Sequence, residues 1–219
     1  EVDFTGFVGI NLMFNDSFGP YAWGGGKWAT LDGQSGVWRV TWEPPWGWQD
    51  ITVIAHEMGH GFGFPHSNNG DADGDPYDNV WDVMSDAWHG YIHDATYGVL
   101  GKHTIAHHKD LAGWIPADHI LEASGEGVWT VTLANLEERG VTGHRLITIP
   151  IPGSATHYTV ETRDLVGYDG GLPGNAVIIH EVDPGRPEEA WLVDVADPTN
   201  SGDEGAMWRV GECFEDAAN

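Results

Sequence analysis

Apolar residues recur along this chain with two different spacings, and the change from one to the other divides it. The run FVGINLMFN within residues 2–15 is rich in strand formers and closed by turn residues, which predicts a buried strand. Gly24, Gly25 and Gly26 predict a flexible crossing ahead of KWATL, and VWRVTW at 37–42 alternates in strand fashion. Pro44 and Pro45 then break the chain. Asp50 stands at the N-cap position of ITVIAHEMGH, where Ile51, Ile54, Ala55 and Met58 fall on the inward face of a helix. Trp38, Trp42, Trp46 and Trp48 crowd the approach to that helix, and either line a cleft or belong to the core. GKHTIAHHKDLAGWI reads as a second amphipathic helix with Ile105, Leu111 and Trp114 buried. After Pro116 the period shortens: GVWTVTL, RLITIPI, HYTVETR, AVIIHEV and AWLVDV are β-rich runs bounded by turn residues. They predict a sandwich of five to seven strands.

The pattern therefore gives an α+β fold class. A mixed sheet with a central helix occupies 1–116, and a small all-β, sandwich-like unit occupies 117–219. No Ser- or Pro-rich spacer separates the halves, so the second is expected to pack on the first.

Charge narrows the partners. With 34 acidic against 9 basic side chains the net charge is -25, which repels nucleic acid and anionic lipid. No apolar run approaches the length of a membrane span, and none resembles a signal peptide. Cys213 is the single cysteine, so the chain has no internal disulfide and no basis for a thiol mechanism. A chain that opens at Glu1 rather than Met is expected to be a processed, secreted form, monomeric and acting on protein or peptide substrates.

The chemistry is concentrated in His56 to His66, HEMGHGFGFPH. On a helix His56 and His60 lie one turn apart on one face and can hold a single ion. Glu57 sits about 100° round from His56, beside the metal without binding it, as a general base should. Gly61 and Gly63 supply positive φ to stop the helix and turn the chain, which brings His66 in as the third ligand. Three neutral imidazoles suit Zn2+ and leave a fourth position open, the pattern of a catalytic site. A second segment, DADGDPYDN, sets Asp71, Asp73, Asp75 and Asp78 at near-alternate positions. It reads either as a Ca2+ loop that departs from the EF-hand pattern or as a solvated acidic loop. His89/His93 and His103/His107 repeat the four-residue spacing but lack a general-base glutamate, and are read as solvent-facing.

HEMGHGFGFPH matches the HExxHxxGxxH signature, and on it the chain resembles the metzincin zinc endopeptidases. YAWGGGKWATL, DNVWDVMSD, KDLAGWI, YTVETR and GYDGGLPGNAVIIHEVD add a looser resemblance to gametolysin-like and immune-inhibitor-A-like secreted metallopeptidases. This likeness implies a zincin catalytic domain, with Met84 as the methionine turn beneath the metal and residues 21–31 as an edge strand beside the cleft. Some metzincins place a tyrosine two residues after that methionine. Asp86 stands there instead, and Tyr91 is the tyrosine considered for the electrophile. The activity implied is peptide-bond hydrolysis with Glu57 as base and then acid. Against it stand a zinc-containing adhesion or glycan-binding module without catalysis, and a zinc hydrolase acting on other bonds.

Overall fold

The computed structural model describes every residue except Glu1, Phe18, Gln49, Arg139, Val141 and 217–219. The expectation attached to Glu1 thus lies outside the described residues. The fold is mixed α/β, rich in sheet and poor in helix, with several separate sheets and no closed barrel.

The first sheet has three strands in the order β1 (Gly9–Met13), β3 (Gln34–Glu43), β2 (Trp23–Leu31). β1 runs parallel to β3, while β2 and β3 form an antiparallel hairpin. Its two-residue turn is Asp32–Gly33, with φ of 48° and 78°; an Asp-Gly pair tolerates left-handed backbone at both positions and matches the twist of the strands. β1 is an edge strand whose Leu12 and Met13 are exposed, not the buried strand its apolar run suggested. Gly24 to Gly26 are part of β2, paired with Thr41 to Arg39, rather than a flexible crossing. Glycine is required at position 24 because a Cβ there would overlap the backbone carbonyl of Glu57. β2, at the free edge of this sheet, is thereby pressed against the helix that carries the metal-ligand candidates.

That helix, α1 (Ile51–Phe62), starts where Asp50 accepts a hydrogen bond from the Thr52 amide and ends at Gly63, φ 95°. The Phe64 amide bonds back to the Gly59 carbonyl in a left-handed cap. Gly61 stays helical, so Gly63 alone supplies the turn. The buried face of α1 is Thr52, Val53, His56, Glu57 and Gly59. Ile51, Ala55 and Met58 are exposed, contrary to the apolar spacing, because their stripe faces an open cavity.

A hairpin of β4 (Ile92–Asp94) and β5 (Gly98–Leu100) leads into the short helix α2 (Ala106–Leu111). α2 buries Ala106, His107, His108 and Lys109, whereas Leu111 and Trp114 are more than half exposed. Ile105 is buried as expected, packed with Val182 and Ala190, but the helix itself turns a polar face inward because partners from distant elements reach it. His108 pairs with Asp82, His107 with Glu189, and Glu161 accepts from the Ala106 amide.

The distal strands do not stack as a sandwich. β6 (Ile120–Glu122), β7 (Leu146–Pro150), β8 (His157–Arg163), β9 (Ala176–Val182) and β10 (Ala190–Leu192) form one five-stranded sheet in sequential order. β6 joins β7 in parallel and the remaining pairings are antiparallel. GVWTVTL forms no strand; Val128 and Trp129 are exposed, and only Leu133 bridges, to His144. The core that would have filled a second layer instead packs on 64–116: Trp81 sits among Leu172, Ile178, Leu192 and Met207. Arg163 of β8 deepens this join, donating to both carboxylate oxygens of Asp169 at 2.8 Å, to Glu161 at 2.9 Å and to the Trp81 and His103 carbonyls.

Candidate metal centre

The cap at Gly63 folds the chain back so that His66 meets the face of α1 bearing His56 and His60. The three Nε2 atoms lie 3.1, 3.2 and 3.3 Å apart. On the far side of two rings, His56 Nδ1–H donates to the Val83 carbonyl at 2.8 Å and His60 Nδ1–H to the Phe64 carbonyl at 2.9 Å. A carbonyl can only accept, so these bonds fix the proton on Nδ1 and leave Nε2 a bare lone pair. Burial disfavours charge on the imidazoles, holding His60 below its usual range and taking His56 to about 4 and His66 to about 3. Lone pairs converging at 3.2 Å repel unless a cation lies at their common point. Nitrogens bound tetrahedrally at about 2.0–2.1 Å stand about 3.3–3.4 Å apart, close to the spacing here. The donor set therefore fits Zn2+.

Glu57 is buried beside this triangle. Desolvation, reinforced by the neighbouring Glu43 carboxylate, pushes its carboxyl up to about 7. Met84 lies beneath: its sulfur packs so closely on Gly59, between the two helical histidines, that a Cβ at 59 would overlap it. Phe64, Val83 and Met84 form one apolar cluster under the ligands.

Asp82 went unnoticed in the sequence although it organises this floor. Fully buried, it accepts from Ser67 Oγ, the Met84 amide, Thr104 Oγ1 and His108 Nδ1. The Met84 bond shapes the turn that aims the Val83 carbonyl at His56, so Asp82 orients a ligand through the backbone. Its signal was legible: one carboxylate within the apolar run VWDVM must find buried partners. Tyr77 was also missed. Its ring lies 4.8 Å from that of His66 and 6.0 Å from that of His56, and it is the tyrosine that flanks the triangle. Tyr91 instead packs edge-on against His93. Asp86 accepts from the Trp88 and His89 amides and pairs with the His89 ring.

The remaining candidates separate. Asp71, Asp73 and Asp78 bring carboxylate oxygens within 4.8 Å of one another, while Asp75 falls outside this group and accepts from the Tyr77 amide. Desolvation and the surrounding carboxylates push Asp78 up to about 6. His89 and His93 face solvent, but His107 is buried, contrary to expectation, and His103 is partly so. Trp38 is core, packed edge-on to Phe4, whereas Trp42, Trp46 and Trp48 remain substantially exposed.

Five histidines lie below their usual range: His56, His60, His66, His107, taken to about 4, and His180, taken to about 3, all chiefly by desolvation. Unfolding restores each to about 6.5, so below that pH the unfolded chain binds more protons and the folded state loses stability. Glu43, Glu57, Asp78, Asp110 and Glu161, held up chiefly by desolvation, act in the opposite sense.

The chain matches no family model, no curated protein and no solved structure. No described helix is long and apolar enough to cross a membrane.

Proposed function

We propose that this chain is a secreted, metzincin-type zinc metalloendopeptidase that hydrolyses peptide bonds of protein substrates. The convergence of three neutral imidazole nitrogens, with a buried carboxylate beside them and Met84 packed below, carries the reading. In this reading 1–116 is the catalytic unit, and the single β-rich sheet of 117–219 buttresses it.

A zinc ion held by His56, His60 and His66 supplies Lewis acidity for the attacking water and the scissile carbonyl. The protein does the rest. Glu57, buried on α1 next to His56, accepts the proton of the attacking water and delivers it to the leaving amine nitrogen. One carboxylate thus serves as base and then acid, with no covalent intermediate. Tyr77 is the nearest phenol to the triangle and the candidate donor to the developing oxyanion. The free edge of β2, pressed against α1 at Gly24, can pair with an extended peptide and present its scissile bond without reading every side chain. We assign Ca2+ to the Asp71, Asp73 and Asp78 loop, where it would brace the segment leading to Tyr77.

The purified protein is expected to degrade casein, to stop when zinc is removed by a chelator, and to recover when one equivalent is restored. Casein cleavage that survives complete metal removal contradicts the proposal. Ligand binding without any hydrolysis, indifferent to chelation, would favour the adhesion module instead.

A further inference from the structure

α1 has a second working face. About 150° round from His56 and His60, Ile51, Ala55, Met58 and Phe62 form a stripe at helical spacing that lines a cavity of about 800 Å3. Leu136 and Ile115 contribute to its apolar lining. A space of this size lies within the range of ligand sites.

Among the charged groups at this cavity cations outnumber acids, with Lys102, Lys109 and Arg145 against Glu137. The chain has nine lysines and arginines against 34 acids, yet three of the nine, Lys102, Lys109 and Arg145, line this one space. Lys102 donates to the Asp86 and His89 carbonyls and is fully engaged in the fold. Lys109 is 9 % exposed, and its ammonium lies in the field of Glu161, Asp169 and Glu137 without a hydrogen bond to any of them among the described residues. Arg145 Nε is likewise buried without a partner. Glu137, the acid on the same wall, is already engaged by the Tyr168 amide and the His103 ring. An ammonium with no hydrogen-bond acceptor and a guanidinium nitrogen with none, set beside a largely apolar wall, suit an anionic headgroup carrying an apolar tail.

We infer that this cavity binds a fatty acid, its carboxylate on Lys109 and Arg145 and its alkyl chain along the Ile51–Ala55–Met58–Phe62 stripe of α1. The site is independent of peptide hydrolysis but not remote from it, since Gly59 and Met84 belong to both the cavity wall and the floor of the metal centre. An occupant would brace the helix bearing His56 and His60 from behind.

The test is calorimetric titration of the delipidated, zinc-replete protein with submicellar laurate, and in parallel with dodecyltrimethylammonium of the same chain length. Laurate should bind one per chain, at least about tenfold tighter than the cation. Lys109→Met should weaken laurate about tenfold while leaving the cation unchanged. Ala55→Trp and Met58→Trp each place a ring in open space and should abolish laurate binding, with circular dichroism and zinc content retained. Equal binding of the two amphiphiles, absence of laurate binding, or laurate binding untouched by both tryptophan variants overturns the inference. Because the readout is binding alone, it stands or falls separately from peptidase activity, and Glu57→Gln should bind laurate as the parent does.

Discussion

Glu57→Gln is expected to keep its zinc and lose about 10²- to 10⁴-fold in peptide hydrolysis, the range over which a positioned general acid–base acts. The reasoning is geometric. Glu57 lies round the helix from the two ligands on α1, so an isosteric amide leaves the nitrogen triangle intact. An amide cannot accept a water proton, and the loss should therefore fall on kcat rather than on metal affinity. His60→Ala is the contrasting case. It removes one of three ligands and leaves the Phe64 carbonyl without its donor, so metal and activity should be lost together. Metal analysis beside turnover of a fluorogenic peptide separates the two. Substantial activity in Glu57→Gln would remove that carboxylate from the mechanism, and full zinc occupancy in His60→Ala would remove that ring from the site.

The largest loss of stability is expected far from the metal. Arg163 is fully buried and bonds both oxygens of Asp169, one of Glu161, and two carbonyls from the 81–103 region. The carboxylates hold the guanidinium firmly charged, while the guanidinium keeps Asp169 below the usual carboxylate range. Arg163→Met keeps much of the volume but strands two buried carboxylates, which costs about 3–5 kcal/mol. For a chain of this length that corresponds to a fall in Tm of about 10 °C or more. Adding Glu161→Gln and Asp169→Asn should restore part of the loss, since neutral amides no longer need a buried cation. A single variant as stable as the parent would show that the triad does not join the distal sheet to the segment under the metal centre.

The metal-ligand candidates were legible because their information is local. His56, Glu57, His60, Gly63 and His66 lie within eleven residues, and helical geometry plus one left-handed cap suffice to place them. What escaped the sequence depends on distant partners. The α2 region presents Ile105, Leu111 and Trp114 at apolar spacing; Ile105 is buried, but Leu111 and Trp114 are exposed, and His107 and His108 are buried because Glu189 and Asp82 reach them from elements many residues away. The distal β-runs were recognisable as strands, but strand periodicity does not say whether a sheet's inner face meets a second sheet or, as here, Trp81 and its neighbours. GVWTVTL alternates as well as any of them and forms no strand, since nothing packs on Val128. Tyr77 could not be found by counting from Met84, as it reaches the triangle from the acidic loop on the other side of the chain.

The most direct test of the central claim is zinc X-ray absorption on protein purified without added metal, with zinc quantified in the same sample. The expected result is about one zinc per chain in a shell of three imidazole nitrogens at about 2.0–2.1 Å and one light oxygen, with zinc lost in His66→Ala. A protein that takes up no zinc, or binds it in an oxygen-rich shell that His66→Ala leaves unchanged, contradicts the account.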